Sequence, residues 1–429
     1  MRNNYLFILP FLPWPMKSGG HQAIFNGLLS LGQDANIYIV YPAPSLSPTD
    51  FDHQNQLRNE IKGIKDIIPY VPNKKAWSKR KFLIRIWNKI IRNKFSLSDD
   101  EAFMEREGCI GPANLVSGIH DLGYYELISN TIQKFNIDVV QVEMLTEIDA
   151  VVSIPKNVKK IFVHHELGYI RKELAIKNQE ANLLKRVYAH SEKAKEIYFL
   201  NCYDLIVTLS ESDKIKLEES GVKTKIHPSF AVVNNMLYED CVNSYSFNGI
   251  LTFVGPEGHS PNRQGLKWFL DNVWVKIKQT NPVLEMHIIG LWTEETIKSW
   301  SSQYNGIVFR GFVDNLALEL QGSTMVVPIF VGSGIRMKIL EAMSIGVPFV
   351  STTVGAEGIP VKDGEGCYIT DSTDTFIQDI LNLQDENLRK QFIISSRELV
   401  SSSFSFDRFK EDRISVYKEL LEMNNPIGE

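Results

Sequence analysis

Short runs rich in Val, Ile and Phe alternate with helical stretches along nearly the whole chain, and this alternation limits the fold more than any other feature. The runs fall at 5–9, 36–41, 139–142, 160–163, 205–209, 250–254, 285–289 and 325–328. They lack strict apolar–polar alternation, as expected of strands covered on both faces. Helical patterns predict helices over about 21–32, 119–135, 174–200, 263–279, 336–345 and 373–382. Strand and helix in turn specify an α/β protein with parallel sheets. The pattern restarts near residue 250, after a polar, irregular stretch at 234–248. The chain has 429 residues, enough for two domains or three. The reading is a first domain over 1–235, a second over 250–405 and a last helix and tail over 406–429, with that helix expected near 407–423.

Composition removes several classes. Lys and Arg total 46 against 51 Asp and Glu, a net charge of −5, so nucleic acid is not an expected partner. The four cysteines form no C-x-x-C pair, which argues against a disulfide scaffold or a classical zinc site. The apolar N-terminus is short and holds Pro10, Pro13 and Pro15, so it reads as a buried strand and not a signal peptide. No apolar run reaches the roughly 18 residues of a spanning helix. A cytoplasmic location follows as the expectation.

One segment departs from this even charge. Residues 74–94 hold nine Lys or Arg and no acid. On a helical wheel Lys81, Arg85, Lys89 and Arg92 share a face, with Phe82, Leu83, Ile84, Ile86, Trp87, Ile90 and Ile91 on the opposite side and Lys79, Arg80 and Lys94 blurring the ends. Two readings stay open: a helix packed on its own domain with a solvated basic face, or attachment to an anionic membrane surface. The second would make the protein peripheral at the inner face of the plasma membrane.

The segment richest in chemistry runs from Pro328 to Pro348. A strand end is followed by Gly332, Ser333 and Gly334, then Ile335 and a helix start with Arg336 and Lys338. Glycines let backbone approach a ligand, and the free N–H groups of a helix start attract phosphate. Glu341, one turn beyond Lys338, is placed to accept hydrogen bonds from a ribose diol. The segment reads as a candidate nucleoside-diphosphate site, with a structural turn as the plain alternative.

This segment resembles the donor signature of retaining glycosyltransferases of the GT-B fold, the E-x7-E group that includes many capsule and lipopolysaccharide enzymes. Phe253-Val-Gly255 with Ser260 to Phe269 is similar to the start of their second domain. Phe309 to Asp314 resembles their base-contacting loop, Thr353 to Ile359 the stretch after the signature, and Ser18-Gly19-Gly20-His21 their glycine-rich first loop. The first acid of E-x7-E falls on Ser333 in this chain, and the usual Arg and Lys of the second domain fall on Pro256 and Gln264. Arg263, Arg336 or Lys338 would then neutralise the diphosphate.

The resemblance implies two Rossmann-like domains facing a central cleft, an acceptor-binding first domain and a donor-binding second domain, with the last helix crossing back. It implies transfer of a sugar from a UDP- or GDP-sugar to a saccharide or lipid-linked saccharide, with retention, in surface-polysaccharide synthesis. Catalytic candidates are His165, then His164, with Glu341 and Lys338. Both histidines end an expected strand, where α/β folds place ligand groups. Donor candidates are Gly332, Ser333, Gly334, Ile335, Arg336, Arg263, Phe312, Val313 and Glu357. First-loop and acceptor candidates are Gly19, Gly20, His21 and Arg171. Asp314 is read as a helix cap, Trp268, Phe269 and Trp274 as core. No cofactor is expected, and no metal, because no third ligand accompanies the adjacent histidines. Three rivals remain: a sugar-nucleotide epimerase, an inactive nucleotide-binding protein, and a membrane-surface adaptor.

Overall fold

A computed structural model describes residues 2–16, 18–32, 34–43, 45–72, 120, 122–170, 173, 183–230, 232–233, 245–332 and 334–423. The basic segment at 74–94, Arg171, Ser333 and residues 174–182 of an expected helix lie outside them.

The first unit runs β1 (Asn4–Ile8), α1 (Gly19–Leu31), β2 (Asn36–Pro42), α2 (Pro48–Glu60), β3 (Ile64–Tyr70), α3 (Leu122–Phe135) and β4 (Val139–Glu143). A 3-10 helix (Leu145–Ser153), β5 (Lys159–His164), α4 (Leu183–Leu200), β6 (Leu205–Thr208), α5 (Glu211–Glu219) and β7 (Ile226–Pro228) complete it. The second unit begins with β8 (Ile250–Val254) and α6 (Ser260–Phe269), which runs through a π turn (Leu270–Trp274) into α7 (Val275–Thr280). It continues with β9 (Glu285–Ile289), α8 (Glu294–Gln303), β10 (Ile307–Gly311), α9 (Leu316–Leu320), β11 (Thr324–Val327) and α10 (Met337–Ile345). It ends with β12 (Phe349–Ser351), β13 (Lys362–Asp363), β14 (Gly366–Ile369), α11 (Thr373–Asn382), α12 (Glu386–Ser403) and α13 (Phe406–Glu422).

The strands form two seven-stranded sheets, ordered β3-β2-β1-β4-β5-β6-β7 and β10-β9-β8-β11-β12-β14-β13. Neighbouring strands run parallel, as the α/β reading requires. Each sheet has a buried apolar cluster on both faces, which explains why its central strands are apolar without alternation. In both sheets the order reverses beside the first strand: between β1 and β4, and between β8 and β11. Ligands in such sheets bind outside the carboxyl ends of the strands at these reversals.

The last helix crosses back. α12 lies along α10, with the Arg397 guanidinium donating to the Ile345 carbonyl at 2.7 Å. After the turn at Phe404 and Ser405, α13 places Val416, Tyr417 and Leu420 in the core of the first sheet, against α1. Phe269 and Trp274 are core, as expected, while Trp268 is half-buried against Phe330. The cap of α9 is Asn315 and not Asp314: the Asn315 Oδ1 accepts from the Leu318 N–H at 3.0 Å, so the helix starts one residue later. Among the described residues no helix is long and apolar enough to cross a membrane.

Candidate active site

The carboxyl ends at the two reversals face each other, and the site lies where they meet. From the first unit come the β1–α1 connection and the ends of β4 and β5. From the second come the ends of β8 and β11 and the start of α10. The approach is close. A Cβ on Gly334, whose φ is +79°, would lie 2.5 Å from the His165 carbonyl oxygen, and one on Gly19 would lie 2.7 Å from Met337 Cγ. Glycine at both positions is what lets the two walls touch. Ile335 packs on the cores of both units.

On the second wall the first turns of α10 bring opposite charges together, Glu341 buried and Lys338 half-buried. Glu341 is 8% exposed. Its Oε1 accepts from the Gln22 amide of α1 at 2.8 Å, a hydrogen bond that spans the cleft. Burial raises its pKa, opposed by that bond and by Lys338. The Lys338 ammonium donates to Asn262 Oδ1 at 2.9 Å and lies 4.7 Å from the centre of the Phe253 ring. Burial, reinforced by the Arg336 charge, lowers the Lys338 pKa to about 7. Arg336 donates to the Gly334 carbonyl at 2.5 Å, and burial lowers its pKa against the pull of Glu357, Glu166 and Asp213. Two half-buried basic side chains thus lie beside a helix start, an environment that favours an incoming anion.

On the first wall the two histidines separate, because consecutive residues at a strand end face opposite sides. His165 Nε2 contacts Glu143 Oε2 at 2.6 Å, and the His165 side chain is 11% exposed. His164 turns into the domain, 1% exposed, with its Nε2 2.9 Å from Glu196 Oε1. The same Glu196 accepts from the Tyr169 N–H at 3.0 Å. His164 is therefore placed in the buried interior and is not brought to the cleft with His165. His21 Nδ1 lies 2.7 Å from Ser18 Oγ, and its ring stacks on Phe11. A small cavity beside His165 opens toward α13, lined also by Asn26, Phe409 and Arg413.

The remaining candidates lie at the rim. Glu357 pairs across the cleft with Lys216 of α5. Arg263 is largely exposed, 3.5 Å from Glu257, and is not gathered with Arg336 and Lys338. Phe312 is exposed at the end of β10 and Val313 half-buried beside it. Gly332 has a φ of +134°, and a Cβ there would meet the Arg336 guanidinium at 2.8 Å. Gln22, Glu143 and Lys216 were not singled out in the sequence. Gln141 and Glu143 did carry a signal, two polar residues two apart inside an apolar strand. Among the described residues no cluster of three or more His, Cys, Asp or Glu could hold a metal ion.

Residues 248–386 match the family model for glycosyl transferases group 1. A Klebsiella pneumoniae protein described as an uncharacterized 44.6 kDa protein in the cps region is 26% identical over 66% of this chain and 74% of its own length. A Bacillus anthracis N-acetyl-alpha-D-glucosaminyl L-malate synthase is 30% identical over 27% of this chain and 31% of its own. Among solved structures, Anabaena HepE in complex with UDP is similar over 98% of this chain and all of its own, with a TM-score of 0.66 and 11% identity. The sucrose-phosphate synthase of Thermosynechococcus elongatus gives a TM-score of 0.68 at 14% identity, over 98% of this chain and 99% of its own. The fold is GT-B, shared with these structures across the chain, and the segment matched by the family model contains Gly332 to Glu341.

Proposed function

We propose that the protein is a retaining glycosyltransferase that moves a sugar from a UDP- or GDP-sugar to a hydroxyl of a saccharide or lipid-linked saccharide. The observation that carries this reading is that Glu341, with Lys338 and Arg336 nearby, bonds Gln22 across the cleft, while Gly334 closes on the His165 backbone beside them. The ribose diol takes the place of the Gln22 amide on Glu341. The diphosphate lies at the start of α10, where its charge restores the ammonium of Lys338.

As the bond from the anomeric carbon to the phosphate oxygen breaks, its electron pair passes to the diphosphate. Arg336, Lys338 and the N–H groups of α10 stabilise the growing charge, and these cations can do so without a metal. The acceptor oxygen bonds to the anomeric carbon on the face the leaving group vacates. Its proton passes to a phosphate oxygen of that group. His165, held by Glu143, faces the sugar. Closure of the two domains keeps water from the activated donor.

Supporting the donor class, solved structures of the similar HepE hold UDP and UDP-glucose, and one of Staphylococcus aureus TarM holds UDP and alpha-GlcNAc-glycerol. A role in surface-polysaccharide synthesis draws support from the cps-region relative. Attachment to an anionic membrane surface through Lys81, Arg85, Lys89 and Arg92 belongs to the same proposal.

The test is acceptor-dependent release of UDP or GDP from a panel of donors, with the anomeric configuration of the product read by NMR and the rate repeated with EDTA. Retained configuration and an EDTA-insensitive rate are expected. Inverted product contradicts retention, and a rate abolished by EDTA contradicts metal independence. Conversion of the donor to its epimer without transfer contradicts the transferase reading itself.

A further inference from the structure

His165 is one end of a buried chain of hydrogen bonds that begins on the last helix. The Tyr417 hydroxyl on α13 donates to Gln141 Oε1 at 2.6 Å. The Gln141 Nε2 donates to Glu143 Oε1 at 2.5 Å, and Glu143 Oε2 lies 2.6 Å from His165 Nε2. Gln141 is 0% exposed, and Glu143 and Tyr417 are each 2% exposed, so water does not compete for these groups.

The chain has a direction. A phenol has one proton to give. Burial holds the Tyr417 hydroxyl protonated far above the usual tyrosine range, and the Glu143 charge adds to this. Its donation fixes the Gln141 carbonyl toward α13 and the amide N–H toward β4. Glu143 then accepts at one oxygen and, as a carboxylate, accepts at the other. The proton of the last link therefore sits on His165 Nε2, and in the neutral imidazole Nδ1 is left as the acceptor of the ring.

We propose that Tyr417 and Gln141 are positioning residues for His165: they set the orientation of Glu143 and hold the imidazole in its Nε2–H form, with Nδ1 placed to accept a hydrogen bond from a hydroxyl of the bound sugar. Tyr417 reaches the site only because the chain returns to the first domain after completing the second. The same return passes along α12, which lies on the helix carrying Lys338 and Glu341. This inference rests on the reading of His165 as a group that faces the sugar.

The experiment uses the full chain labelled with 15N-histidine. The tautomer of each ring is read by two-bond proton–nitrogen NMR, and the His165 signals are identified by their loss in His165→Asn. In the wild type the Nε2–H form is expected. In Glu143→Gln, the Gln141 N–H should claim the new carbonyl and turn its amide toward His165, which drives the ring to the Nδ1–H form. In the double variant Glu143→Gln/Gln141→Leu the new amide is released to rotate, and the Nε2–H form should return. An Nδ1–H ring in the wild type overturns the proposal. So does an Nε2–H ring in Glu143→Gln, or a double variant that matches the single one.

Tyr417→Phe, which keeps the packed ring, supplies the second readout. Turnover should fall about tenfold, the effect of one hydrogen bond, with donor KM held within about twofold. An unchanged turnover overturns the role of Tyr417. If the tautomers behave as described but no donor and acceptor pair reacts, the relay stands and the transferase reading fails.

Discussion

Lys338 carries the clearest electrostatic signature of the cleft. Its ordinary pKa is 10.5, and burial beside Arg336 brings it to about 7. The sign of the linkage follows from that direction. The unfolded chain binds this proton below about 10.5 and the folded one only below about 7, so stability from this group is present at high pH and lost as pH falls through that window. A bound diphosphate reverses the bias by supplying the missing negative charge. Binding of UDP or GDP at about pH 8.5 is therefore expected to take up close to one proton. Calorimetry in buffers of different ionisation enthalpy measures this uptake. Lys338→Met should abolish it and weaken binding. An observed enthalpy independent of the buffer would place the diphosphate away from Lys338.

At the scale of elements, the two walls meet because Gly334 adopts a left-handed backbone against the end of β5. Gly334→Ala should cost about 1–2 kcal/mol for the backbone alone. The 2.5 Å approach of its Cβ to the His165 carbonyl oxygen adds to this cost by forcing the walls apart. A lower melting temperature and weaker nucleotide binding are expected together, and a wild-type melting curve would contradict the close approach. The loop itself was legible in the sequence, since glycines, cations and Glu341 lie within one turn-and-helix stretch. The central strands were legible too, because burial on both faces leaves continuous apolar runs. Short or peripheral strands were not. β12 has only three residues, and β10 is half-exposed with Arg310 in it. α2 went unread because its sequence, PTDFDHQNQLRNE, has little apolar face; a Ser47–Asp50 capping box marks its start instead. Gln22 and Lys216 carry no local signal at all, since their roles exist only where two distant segments meet.

For the whole molecule, Ile335 and the Gln22–Glu341 bond join the two walls inside the cleft, and a polar pair joins them at its rim. The Lys216–Glu357 pair joins the domains with side chains 27% and 29% exposed. A pair so accessible contributes at most about 1 kcal/mol and is weakened by salt. Lys216→Ala is thus expected to enlarge the radius of gyration measured by X-ray scattering, with added nucleotide restoring the compact form. An unchanged radius with and without nucleotide would show that this pair does not hold the domains together. In the proposed function, Glu341 and its neighbours bind the nucleotide of the donor. The most direct measurement is thermal unfolding of the wild type and of Glu341→Ala against UDP, GDP, ADP, CMP and buffer alone. A ligand at 100 times its dissociation constant adds about 2.7 kcal/mol. A selective rise with UDP or GDP is expected in the wild type, and its loss in a folded Glu341→Ala protein. No rise with any diphosphate, or an equal rise in both proteins, would contradict it.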